Sequence, residues 1–546
     1  MKRFLTLALC LSAICTQAQP IPVFTGFNLN LGATINSTPK NFAKLGSKFV
    51  FSAFTDANGT ELWISDGTVA GTKMLKDIKP GIGSSFPIRL TPLGNNVVFV
   101  ADDGTNGSEC WVTDGTEAGT QMLKDINTGA GSVMLNSMAV LNGKIYMGAG
   151  DNSFGIEVWE TDGTPAGTKL FLEISPGGMS SGAKNFVVCN SKFFFTANNG
   201  TNGDELWVSD GTVAGTTMVK DIQTGGQGSV PANLTAIGNT LYFTASTNTE
   251  GFEVWTSDGT ATGTKLLKDI TPGAASGASG MVTFVENNGK VYFKATDGTN
   301  GAELWITDGT SAGTQMLKDI YSGINTSFPD HFCSYNNKLY FQARDNSGTT
   351  ELWVTDGTAA GTQVFKKLNS GGSSIARYLT VYKKHLYFTA IQTGADYQLW
   401  ISDGTAAGTK VIAPAVASVT APTGQTSEFF MFDQDSSLYF AANYTSGGIE
   451  LWKLKDTTGQ SVGIAAIAEA SFTLYPNPNS GTFTLQLDDA NFTTGTLHVY
   501  DAVGRKVHEQ QVNSKKQTIR MQQPAGIYTV KLQMGDAVLT KQIAIE

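Results

Sequence analysis

Hydrophobic and polar positions alternate along this chain in short runs, and the runs recur. Asn96-Val97-Val98-Phe99-Val100-Ala101 reads as a strand, Asp102 to Ser108 as a Gly/Asn-rich turn, and Glu109-Cys110-Trp111-Val112-Thr113 as a second strand. Asp114 to Gly119 is a second turn and Thr120 to Ile126 a third strand; after a Gly/Ser-rich loop, Met134 to Leu141 reads as a fourth. Short strands at regular spacing with Gly, Asn and Asp turns predict an all-β fold. Four antiparallel strands in about 48 residues is the size of one propeller blade.

The period is fixed by tryptophan. All nine tryptophans fall at one position of the unit: Trp63, Trp111, Trp159, Trp207, Trp255, Trp305, Trp353, Trp400 and Trp452. In eight of the nine units Asp-Gly-Thr follows, with its acid at Asp66, Asp114, Asp162, Asp210, Asp258, Asp308, Asp356 and Asp403. A Gly-Thr pair closes each turn, as at Gly71-Thr72. The expected architecture is a β-propeller of about nine (eight to nine) four-stranded blades over residues 22–455, with an open β-solenoid as the alternative. The ninth unit lacks its last strand, and Phe27-Asn28-Leu29-Asn30-Leu31 near the N-terminus supplies a spare one. Pairing the two closes the ring and removes its free sheet edges.

Composition narrows the functional class. The apolar fraction is 41 % and charged residues are 15 %, which sets the chain apart from disordered segments. The net charge of −9 gives no basic face for nucleic acid. Residues 1–18 read as a secretory signal: Lys2-Arg3, an apolar core from Phe4 to Ile14, and small residues before Gln19. No stretch reaches the length of a membrane span. Outside that segment the cysteines are Cys110, Cys189 and Cys333, too few and too far apart for a disulfide framework or a metal site.

The unit Glu-Leu-Trp-x-x-Asp-Gly-Thr, complete at 61–68, 205–212, 303–310 and 351–358, resembles the ELWxxDGT (hyalin-like) repeats of secreted bacterial proteins. That resemblance implies a repeat and no activity. Cys110 and Val158 replace its Leu, and Gln398 its Glu.

After Lys455 the repeat ends. Residues 456–470 read as a linker and 471–546 as a small C-terminal β-sandwich. Its landmarks include Tyr475-Pro476-Asn477-Pro478 with Gly481, Tyr500 with Gly504, and Gly526 with Tyr528. In this order they resemble the type A sorting domain of the type IX secretion system of Bacteroidetes. The resemblance implies a type IX machinery as partner, export of the folded cargo across the outer membrane, and a secreted or outer-surface location.

Each candidate site has two readings. The turn aspartates, with Asp102-Asp103, Asp297, Glu109 or Glu303 nearby, offer oxygen ligands to Ca²⁺. One acid per blade is better read as the acceptor that holds its own turn, so no cofactor is expected, calcium being the alternative. The repeated Glu is also placed to pair with the repeated Lys of the Lys-Asp steps, such as Lys76 and Lys124. The tryptophans offer sugar-stacking faces, but one per blade at one position argues for packing. The four histidines, His331, His385, His498 and His508, form no catalytic motif. The expected function is therefore a binding or adhesion protein for an extracellular glycan or protein, without catalysis. A carbohydrate-active hydrolase or lyase and a structural surface component are the alternatives. Ligand contacts are expected where the units differ, at Gly150–Gly155, Asn248–Phe252, Gln392–Tyr397 and Ala415–Glu428.

Overall fold

The computed structural model describes residues 23–29, 36–151, 155–413, 429–444, 448–456, 472–487, 494–501, 505–534 and 537–546. The proposed signal 1–18, Leu31, the loop 415–428, most of the proposed linker and Gly504 lie outside the described residues. The chain divides into two compact units, one of them Val23–Asp456.

Among the described residues that unit is a β-propeller of nine four-stranded antiparallel blades. Blade one contains Lys40–Leu45, Lys48–Thr55, Gly59–Ser65 and Lys73–Lys76, paired in that order. The first strand of a blade lies beside the first strand of the next, so these strands line the centre and the fourth strands form the outer wall. The apolar character of the middle strands drives this arrangement. In Lys48–Thr55 and Gly59–Ser65 almost every side chain is buried, because both faces meet a neighbouring blade.

The nine tryptophans sit in the nine interfaces between blades. Trp111 of blade two packs with Val50, Leu62 and Ile64 of blade one. Trp63 packs with Phe432, Tyr439 and Leu451 of blade nine, so the series of interfaces closes on itself. Trp159 and Trp207 are half-buried and the other seven are buried.

Closure uses the N-terminal strand, at Val23–Phe27 rather than at 27–31. It is the outer strand of blade nine, pairing from Val23↔Lys455 to Phe27↔Leu451. The shift has a physical cause. Leu29 must place its N–H on Glu450, the role that Ile78 plays for Glu61 in blade one, and this sets the pairing four residues earlier. Gly26 then lies flat on the ring of Trp452, where a Cβ would come within 3.0 Å.

The C-terminal unit has a three-stranded sheet (Phe472–Tyr475, Thr482–Leu487, Lys516–Arg520) and a four-stranded one (Gly495–Tyr500, Lys506–Val512, Gly526–Met534, Ala537–Ile545). Phe483, Leu485 and Ile519 of the first meet Leu497, Val499, Val530 and Leu532 of the second in one core. This is a small β-sandwich.

Candidate functional site

The repeated polar residues bond within the ring. Asp66 Oδ1 accepts from the N–H of Thr68 at 2.9 Å and from its hydroxyl at 2.7 Å. Gly67 takes φ 89° between them. A Cβ on Gly71 would stand 2.1 Å from Asp66 Oδ1, so the second glycine of the unit exists to let this carboxylate in. Asp114, Asp162, Asp210, Asp258, Asp308, Asp356 and Asp403 make the same pair of bonds. Those bonds hold all eight carboxyls below the usual range. Among the described residues no three His, Cys, Asp or Glu side chains group as a metal site.

The repeated Glu does not pair with Lys at the surface. Glu61 is fully buried. Its carboxylate accepts from the N–H of Ile78 and of Ser85, each at 2.9 Å, and from the Ser85 hydroxyl at 2.7 Å. It thereby fastens the loop that runs from one blade to the next. Glu303 repeats this with Ile320 and Ser327, and Glu205 with Ile222 and Ser229. Burial outweighs these bonds and pushes the Glu61, Glu109, Glu253 and Glu303 carboxyls up to about 7. The repeated Lys also turns inward. Lys318 Nζ donates to the carbonyl of Thr362 in the next blade at 2.6 Å and lies 5.9 Å from the ring centre of Trp353. The outer wall is therefore tied blade to blade, where the sequence suggested a surface pair between Glu and Lys.

A polar cluster outside the repeat lies between blades eight and nine. In blades three and seven the hydroxyls of Tyr146 and Tyr340 reach the turn carbonyls of Gly211 and Gly404, and Tyr439 reaches Gly67 across the closure. The sequence of blade nine carries no Asp-Gly-Thr to offer Tyr387 of blade eight. Asp456 takes its place: its buried Oδ2 accepts from the Tyr387 hydroxyl at 2.8 Å and lies 3.0 Å from Nδ1 of His385.

The inner strands are where the blades differ. Six of the nine enter the ring with a bulge whose residue has positive φ: Asn41, Asn185 and Asn233 in three blades, Arg89, His331 and Tyr378 in three others. The asparagines are stitches. Asn41, Asn185 and Asn233 donate to the carbonyls of Pro87, Pro231 and Gly280 in the following blade. Sequence reasoning directed attention to the variable loops and missed these positions. The signal was an Asn replaced by Arg, His or Tyr at one point of the period.

In the C-terminal unit, the Tyr475 hydroxyl donates to Gln486 and the Tyr528 hydroxyl to the carbonyl of Pro524 at 2.7 Å. Asn477 Oδ1 accepts from the N–H of Ala544 at 2.7 Å, and buried Asn479 bonds the same residue's carbonyl, so the Pro-Asn-Pro segment is fastened to the last strand. Lys531 lies over the Tyr500 ring. Gly481 precedes the strand Thr482–Leu487, and Gly526 is the first residue of the strand Gly526–Met534. Residues 473–546 match the secretion system C-terminal sorting domain. This is the sorting domain of type IX secretion, and it marks the chain for export to the cell surface or the medium.

No curated protein matches the chain. Among solved structures, puromycin hydrolase is similar over 78 % of this chain and 61 % of its own, with 13 % identity and a TM-score of 0.35. A prolyl endopeptidase shares 11 % identity over 74 % of this chain and 54 % of its own, with a TM-score of 0.36. The β-propeller domain of the Trilobed protease from Pyrococcus furiosus is covered over 99 % of its length at 11 % identity and a TM-score of 0.32. The sorting domain aside, these likenesses concern the fold alone.

Proposed function

We propose that the ring is a non-catalytic binding and adhesion module for an extracellular glycan or protein. A type IX machinery delivers it through a sorting domain spanning 471–546, after removal of a signal at 1–18. The observation that carries this reading is the internal use of the repeated acids. Buried glutamates fasten the blade-to-blade loops, and each turn aspartate holds its own turn. Acids committed in this way leave the blade-to-blade differences at the inner strands as the surface with individual character. Loops and strand ends on a rigid scaffold are the usual carriers of recognition.

The test is a binding and turnover screen of the purified chain against polysaccharides and bacterial surfaces. Saturable binding without turnover is expected. Reproducible hydrolysis or β-elimination, lost on replacing one non-repeated Asp or Glu, overturns the non-catalytic reading in favour of a carbohydrate-active enzyme.

A further inference from the structure

Blades seven and eight gather side chains that are rare elsewhere in the ring. Arginine occurs in the ring at Arg89, Arg344 and Arg377 only, and histidine at His331 and His385 only. Arg344, Arg377 and His331 lie at the same end of two adjacent blades. His331 and Arg377 begin the inner strands Asp330–Tyr335 and Arg377–Tyr382, which run side by side, and Arg344 ends the strand Lys338–Arg344.

The backbone marks this place as well. His331 holds φ 55° and Tyr378 φ 56°, in the left-handed region that Asn enters readily and a tyrosine rarely does. Where Asn occupies the position, its amide stitch to the next blade accompanies the strain. His331 makes no such stitch; its ring instead stands 6.3 Å from the Tyr378 ring. Strain kept without the bond that accompanies it elsewhere is the pattern of a functional position.

The chemistry indicates the ligand. The Arg377 guanidinium lies 5.2 Å from the ring centre of Tyr397, and among the described residues no carboxylate is within ion-pair distance of it. A guanidinium held against an aromatic face keeps its in-plane N–H groups for a planar oxyanion. Exposed Asp330, on the neighbouring inner strand, accepts the His331 N–H at 2.7 Å. A fixed carboxylate accepts from hydroxyls, which a purely acidic peptide chain does not offer. A ligand that offers one carboxylate beside several hydroxyls satisfies both.

We propose that this inner rim of blades seven and eight binds a uronate-bearing polysaccharide, with Arg377 receiving the sugar carboxylate and Asp330, His331 and Tyr378 receiving its hydroxyls. The inference rests on the binding reading above and gives it a ligand class.

The experiment is calorimetric titration of the full chain with polygalacturonate and with its fully methyl-esterified form. Polygalacturonate binds and the ester does not. Arg377→Gln weakens binding at least about tenfold. Tyr378→Asn, which installs the residue of the other blades, also weakens it while the melting temperature holds or rises. Asp330→Ala weakens it too. Three results overturn the proposal: equal binding of the ester, indifference to Arg377→Gln and Tyr378→Asn with folding intact, or tighter binding by Asp330→Ala, which marks a bare anion site. Preference for poly-glutamate over polygalacturonate overturns the sugar assignment. A chain that fails these tests yet adheres to a bacterial surface leaves the adhesion function standing, whereas hydrolysis of the polymer refutes that function separately.

Discussion

Leu29 donates its backbone N–H to Oε2 of Glu450 at 3.0 Å, across 421 residues of chain. Ile78 makes the same bond to Glu61 within blade one at 2.9 Å. The closure therefore repeats the bond that joins consecutive blades, with the N-terminal strand standing in for the missing one.

It follows that the closing strand carries stability out of proportion to its length. Phe27 is buried against Tyr439 and Leu451, so Phe27→Ala is expected to cost about 3–5 kcal/mol. Val23, at the exposed end of the same strand, is the control, and Val23→Ala should cost within about 0.5 kcal/mol. Urea denaturation of the two variants measures the difference. Equal midpoints would mean that closure contributes nothing to the ring.

The buried glutamates make stability depend on pH in a defined direction. Their folded pKa of about 7 lies above the ordinary 4.5. Between those values the folded state holds protons that the unfolded chain has released, so stability falls as pH rises from 4.5 through 7. The turn aspartates act oppositely. Their folded pKa lies below 3.8, so their contribution is lost as pH falls beneath that value. The melting temperature should be highest near pH 5 and lower at pH 8. Glu253→Gln, which copies the Gln398 that blade eight carries at this position, should recover on the order of 1–3 kcal/mol at pH 8 and little at pH 5. A melting curve of this variant with the same pH slope as the parent contradicts the assignment.

Asp66 and Gly71 should be coupled. Gly71→Ala places a Cβ against the Asp66 carboxylate and is expected to cost about 2 kcal/mol. Asp66→Ala loses two hydrogen bonds, about 1–2 kcal/mol. In the Asp66→Ala background the glycine substitution should be nearly free. A double-mutant cycle measures this, and simple additivity would refute the close approach as the reason for the glycine.

Asp456 should behave as part of the ring although the repeat has ended before it. Removing the acceptor shared by Tyr387 and His385 is expected to cost about 3 kcal/mol in Asp456→Ala. Asp456→Asn keeps an acceptor oxygen and should cost less. A thermal melt showing no loss in the alanine variant would place the end of the ring before residue 456.

Much of this architecture is legible in the chain. The tryptophan period marks one inter-blade interface per unit, and the incomplete ninth unit predicts a borrowed strand. Alternation alone slides freely along Val23 to Leu31, so it puts that strand four residues too late. The Leu29 to Glu450 bond helps fix it, and no local pattern shows that bond. The Glu of the repeat reads as a surface residue because its partners lie 17 and 24 positions downstream, in a loop with no pattern of its own. Ile78, Ile320, Ser85 and Ser327 do recur at those offsets, so the signal is present as a spacing between motifs rather than within one. The Asn41, Asn185 and Asn233 stitches are hidden for another reason. A left-handed residue inside a strand runs against the pattern that defines a strand.

The residues that shut the ring are the first of it to be synthesised and the last to find their place. Val23–Phe27 leaves the ribosome ahead of every blade, and its partner Glu450–Lys455 is the last strand of the ring to be made. Until then the early blades can stack in order, but blade nine has no outer wall and blade one no neighbour behind it. Closure therefore waits on a contact of the greatest sequence separation the ring contains, the slowest kind to form. The sorting domain is made only after the last blade, so the ring's sequence is complete before that domain exists.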